Sequence, residues 1–92
     1  MADAIKNLRF IAFQEGDGWV AQCVEYDICT QGSDLAQAQR RMNVALRHEA
    51  RFTKERHGEA FAGLDPAPDY FAAMYEAAEA SLVGDVDMRI AA

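Results

Sequence analysis

From Asn7 to Gln14 the chain reads Asn-Leu-Arg-Phe-Ile-Ala-Phe-Gln, a short apolar and aromatic run that ends at Glu15-Gly16-Asp17-Gly18. A run of this length and composition, closed by turn residues, predicts a strand. Glycine at the first central position suits a type II′ hairpin. Trp19 to Glu25 is then the returning strand. With Gly16 and Asp17 as the loop, Phe13 faces Val20, Ile11 faces Gln22 and Phe10 faces Cys23. Side chains alternate along a strand. This register therefore gathers Leu8, Phe10, Ala12, Trp19, Ala21 and Cys23 on one face. Ile11, Phe13, Val20 and Val24 share the other with Arg9 and Gln22. Both faces are bulky and apolar, so each needs a cover. A long helix supplies one. The C-terminal segment or a second copy of the protein supplies the other.

A bend at Glu25-Tyr26-Asp27 leads to a short third strand, Ile28 to Gln31, which Gly32 ends. Asp34 is the expected N-cap of a helix, with Gln37 completing a capping box. Leu35, Ala38, Met42, Ala45, Leu46 and Phe52 recur at helical spacing as its buried stripe. The helix is expected from Leu35 to about His57, with Gly58 as its left-handed C′ residue. Residues 58–69, with Gly63, Pro66 and Pro68, read as a loop. Asp69 then caps a second helix, Tyr70 to about Ala80, and Leu82 to Ile90 alternates as a last strand at a sheet edge. The pattern is α+β, in the order β-β-β-α-α-β, and forms one domain over 1–92.

Charge narrows the partners. Fifteen acids stand against nine bases, for a net charge of −6. Such a chain repels nucleic acid and anionic membrane and attracts a basic partner. The bases Arg40, Arg41, Arg47, Arg51, Lys54 and Arg56 fall in one stretch, as a solvated helix surface or a partner-binding face. No run approaches the ~20 apolar residues of a membrane span, and Met1–Lys6 has no signal-peptide core. A cytoplasmic location is expected, where cysteines stay reduced.

Catalytic and ligand chemistry finds little support. Cys23 and Cys29 would sit opposite each other in a hairpin turning at Tyr26, and the favoured reading is two small core thiols. A structural zinc needs two further ligands, and His48 and His57 lie nine positions apart on the helix. Ser33 and Ser81 sit at helix ends, where capping explains serine. His48-Glu49 is not followed by the histidine of a His-Glu-x-x-His motif. The pairs Asp85/Asp87 and Asp65/Asp69 read as exposed charge, and acids on an edge strand oppose aggregation. No metal, cofactor or catalytic residue is expected.

Gly18-Trp19-Val20-Ala21, the stretch Cys23-Val24-Glu25-Tyr26-Asp27-Ile28-Cys29-Thr30-Gln31-Gly32, and Asp34-Leu35-Ala36-Gln37-Ala38 follow one another within Phe10 to about Ala50. In this succession the chain resembles the HicB-like antitoxin family. That family shows a Pro-Glu-Leu-Pro-Gly-like bend, a Thr-x-Gly and a Thr-Leu-x-Glu-Ala helix start. The resemblance implies a partial ribonuclease-H-like β-β-β-α-β unit that neutralises a small basic RNA-cleaving toxin of the HicA type. It does not imply ribonuclease chemistry, because the first strand has no carboxylate for a metal ion. Val24 and Asp27 replace the prolines of the bend. The 35 residues after His57 are too few and too acidic for the DNA-binding module of longer members.

Three readings follow: an antitoxin-like protein-binding module, itself a homo-oligomer (dimer or tetramer); a structural or regulatory homo-oligomer without a toxin; and a small-ligand binder or enzyme with a pocket between the sheet and the second helix, lined by Trp19, Tyr26 and Tyr70. The first is preferred. Its candidate partner-binding residues are Trp19 and Tyr26, as amphipathic aromatics near a sheet end, and Arg40, Arg47 and Arg51.

Overall fold

The computed structural model describes residues 4–90; the side chains at 4 and 90 are outside the description, and with them the apolar position expected at Ile90. Strands β1 (Ala4–Glu15), β2 (Gly18–Cys23) and β3 (Cys29–Gly32) precede helix α1 (Leu35–His57). Helix α2 (Tyr70–Ala77), a 3-10 turn (Ala80–Leu82) and strand β4 (Val83–Ile90) follow. The four strands form one antiparallel sheet in the order β3-β2-β1-β4. The architecture is α+β, in the expected element order.

The hairpin has the register its turn dictates. Phe10 pairs with Cys23, Ile11 with Gln22 and Phe13 with Val20. Gly16 has φ 62°, as the first central position of a type II′ turn requires. One face of the sheet carries Leu8, Phe10, Ala12, Ala21 and Cys23. With Val86 and Met88 of β4 they form the main core under Ala38, Met42 and Leu46 of α1. The other face carries Ile11 and Phe13, which pack against Ala67, Phe71 and Met74. The chain's own α2 and the segment before it therefore cover the second apolar face.

Helix α1 has the expected ends. The Asp34 side chain accepts from the Gln37 backbone N–H at 2.7 Å, and Gly58 closes the helix at φ 81°. The capping box is displaced by one residue. Gln37 Oε1 accepts from Ser33 N and Ser33 Oγ, at 2.7 and 3.1 Å, rather than from Asp34. The buried stripe runs Ala38, Met42, Leu46 and Thr53. Phe52, expected in that stripe, is exposed and stacks beside His48. A 3.6-residue period carries the stripe from Leu46 to Thr53, and Phe52 falls about 100° away from that position.

The C-terminal elements depart further from expectation. Asp69 makes no capping bond and has helical dihedrals, and α2 stops at Ala77. Leu82 belongs to the 3-10 turn and packs with the second-face cluster, whereas Val86 and Met88 enter the main core. The third strand starts at Cys29 instead of Ile28 and pairs that residue with Gln22. Cys29 therefore shares a face with Gln22, opposite Cys23. The two cysteines do not oppose each other, and only Cys23 is a core thiol; Cys29 is exposed.

Candidate functional site

The position of α1 decides which surfaces are open. Two bonds tie the helix to β3: Thr30 Oγ1 donates to Ala38 O at 3.0 Å, and Arg41 Nη1 donates to Gln31 O at 2.9 Å. Gly32 makes the close approach possible, since a Cβ there would lie 2.5 Å from Ala38 N. At its far side α1 overhangs β4 loosely and leaves a seam. One cleft of about 410 Å³ opens there between Arg47, Ala50, Arg51 and Lys54 of the helix, Ala60, and Met88 and Arg89 of β4. A second, of about 520 Å³, continues along the same side of α1 past Arg40, Asn43 and Val44, with Phe10 as its floor. The Arg47 guanidinium is held by Asn43 Oδ1 at 2.8 Å.

Three of the five candidate partner-binding residues thus share one surface. Arg47 and Arg51 line the first cleft and Arg40 the second. Trp19 and Tyr26 lie elsewhere. Trp19 packs against the main core and borders a small cleft with Glu15, Gly18 and Gln31. Tyr26 stacks on Phe61 with centroids 4.9 Å apart, under the Lys6 ammonium, and bridges to Pro66. It anchors the 58–69 connection, which is a structural role. The pocket expected between Trp19, Tyr26 and Tyr70 does not form, because Trp19 and α2 sit on opposite faces of the sheet. Lys54, part of the basic stretch, and Arg89 also line the first cleft. Lys54 extends the spacing of Arg47 and Arg51, but Arg89 joins them only through the pairing of β4 with β1.

The opposite face is acidic. Asn7 Nδ2 donates to Asp85 Oδ2 and to Asp87 Oδ1, at 2.7 and 2.8 Å, and so holds the two carboxylates side by side. Next to them Glu25 clamps Arg9 through both the backbone N and Nε, each at 2.7 Å. The Glu25 hydrogen bond raises the pKa of Arg9 further. Arg9 also lies over the Tyr75 ring at 5.3 Å and 3.8 Å from Glu76.

Neither thiol is poised as a nucleophile. Burial pushes Cys23 above the ordinary value, and burial with Glu15 and Asp27 does the same for Cys29. The thiolate is the reactive form. At pH 8 Cys29 is expected to react with a disulfide reagent more slowly than free cysteine, and Cys23 only as the protein unfolds. A raised thiol pKa also means stability that is complete below the ordinary value of 9.0 and lost as pH rises past it. A melting temperature unchanged from pH 8 to 10.5, or fast labelling of Cys23, would contradict this.

Among the described residues no group of three metal-ligating side chains occurs, and no helix is long and apolar enough to cross a membrane. No protein-family model, curated protein or solved structure matches the chain.

Proposed function

We propose that this chain is a non-enzymatic protein-binding module of the antitoxin type, which neutralises a small basic RNA-cleaving toxin of the HicA kind in the cytoplasm. One observation carries the reading: the fold sorts its charge. Helix α1 holds six of the nine bases and two of the fifteen acids. That leaves thirteen acids against three bases elsewhere, with Asp85, Asp87, Glu25 and Glu76 grouped on the sheet face away from α1. A surface of this kind steers a basic partner and fixes its orientation. The sequence resemblance in the hairpin, the bend and the helix start supports the same reading.

Co-expression with a small basic protein encoded beside the gene tests it. Restored growth and a stable complex, weakened by Asp85→Lys with Asp87→Lys, are expected. If no such neighbour exists, or if it binds no better than an unrelated basic protein, the structural homo-oligomer becomes the better account. The dimer or tetramer expected from a bare second sheet face competes here with α2, which occupies that face. Light scattering over a concentration series separates the two.

A further inference from the structure

We propose that the seam between α1 and β4 takes an extended acidic segment of a partner protein, which adds to β4 as a fifth strand and sets carboxylates against Arg40, Arg47, Arg51 and Lys54. The inference does not rest on the toxin-binding reading, because the acidic face and the seam lie on opposite sides of the sheet.

The backbone comes first. Among the described residues β4 has a strand neighbour on one side only, β1. An eight-residue edge strand offers alternate N–H and C=O groups to an added strand, and such additions are a recurrent mode of peptide recognition. Val86 and Met88 of this strand are buried in the main core, while α1 is tied to β3 at its other side by Thr30 and Arg41 and two clefts open between it and β4. The floor is apolar, with Phe10 in one cleft and Ala50, Ala60 and Met88 in the other. Gly84 keeps that floor open: a Cβ there would lie 2.4 Å from Phe10 Cζ, so a side chain would have to displace the ring.

The rim supplies the specificity. Arg40, Arg47, Arg51 and Lys54 follow one another along one side of α1, and among the described residues no carboxylate lines either cleft. From position 40 to 54 the helix rises ~21 Å at 1.5 Å per residue. Same-face side chains of a strand recur every ~6.8 Å. Four same-face positions of an added strand therefore cover the length of the rim, and glutamates at alternate residues all face it.

A second copy fits less well. Pairing β4 with its symmetry mate brings two α1 helices side by side over a continuous sheet, with their cationic rims facing each other. A nucleic-acid strand fits less well too. Its sugar-phosphate backbone has no alternating amide N–H and C=O groups with which to pair with the edge of β4.

The experiment titrates the full-length protein into a labelled nine-residue peptide of alternating glutamate and threonine, read by fluorescence anisotropy at low salt. The control peptide has the same composition with its glutamates in adjacent pairs, which splits them between the two strand faces. The alternating peptide is expected to bind at least ~10-fold tighter than the control. Arg47→Glu with Arg51→Glu, both exposed positions, is expected to remove that advantage without lowering the melting temperature. N-methylation of alternate peptide amides, which leaves the protein and the charge intact, is expected to abolish binding, and β4 amide exchange slows only when the unmodified peptide is bound. Equal binding of the two peptides, or full binding of the N-methylated one, overturns the proposal. So does tighter binding of an oligouridylate, which makes the seam a polyphosphate site. Concentration-dependent protection of β4 without peptide overturns it as well, and assigns the edge to a second copy.

Discussion

Gly32→Ala is expected to lower stability by about 3 kcal/mol, at the upper end of what overpacking costs, and the melting temperature by roughly 15 °C. The residue is buried, pairs with Trp19 at the end of β3, and has an ordinary extended backbone. Its requirement for glycine is one of space. An added Cβ would lie 2.5 Å from Ala38 N, 3.0 Å from Ala38 Cα and 3.1 Å from Gln37 C. All three are backbone atoms of the first turn of α1, so no rotamer change relieves the contact and the helix itself must move. Gly16 provides the contrast. Its φ is 62° but nothing stands within 4 Å of a Cβ there, so Gly16→Ala costs only the left-handed strain, ~1 kcal/mol. Chemical denaturation of the two variants checks the ranking. Equal losses, or a stable Gly32→Ala, would mean that the helix start is not seated by this contact.

That contact also bears on function. The distance of α1 from β3 sets how far its other side overhangs β4, and hence the width of the seam. A helix pushed outward at Ala38 strains the Thr30–Ala38 bond and carries the arginine rim with it. Binding of the alternating acidic peptide is therefore expected to weaken in Gly32→Ala even at temperatures where the variant is folded.

What was legible in the chain was whatever its local chemistry fixes. Gly16 sets the hairpin turn, the turn sets the register, and the register sorts every side chain of β1 and β2 between two faces. Asp34 and Gly58 mark both ends of α1 because caps are local signals. The departures come from helix geometry and from tertiary contacts. The 3.6-residue period itself turns Phe52 about 100° from Thr53 and out to solvent. Thr53 looks like surface, yet it is buried and hydrogen-bonded across eight residues. Cys29 lies opposite Cys23 only if the bend is centred on Tyr26. The bend is one residue tighter, closed by Cys23 N donating to Ile28 O, and this shifts the register of β3 by one residue. The seam was half legible. Arg40, Arg47 and Arg51 share a helix side by spacing alone, but their neighbour across the gap is a strand some forty residues later in the chain. Only its antiparallel pairing with β1 brings Met88 and Arg89 beneath them.

Thr53→Val is expected to cost about 2–3 kcal/mol, and Thr53→Ser about 1 kcal/mol. The Thr53 hydroxyl donates to Glu49 O at 2.6 Å, one turn back, and accepts from the backbone N–H of Phe61 at 2.5 Å. Phe61 is buried, stacks on Tyr26 and has φ 66°, a left-handed conformation that costs a non-glycine residue energy. Valine preserves the volume and removes the acceptor. The Phe61 N–H is then buried without a partner, at the point where the chain is already strained. Serine keeps the acceptor and loses one methyl group. If hydroxyl chemistry holds the connection, valine is the worse substitution; if packing alone does, serine is. The two variants therefore give opposite orders in a urea titration. The connection they probe carries Ala60 to the floor of the seam and Phe61 to the core. Loosening it in Thr53→Val is expected to raise amide exchange at residues 59–64 and to weaken the acidic peptide, while Arg40, Arg47 and Arg51 remain in place on α1. A valine variant as stable as the parent would show that the Phe61 N–H finds another acceptor, and that the hydroxyl is not what pins the connection to the helix.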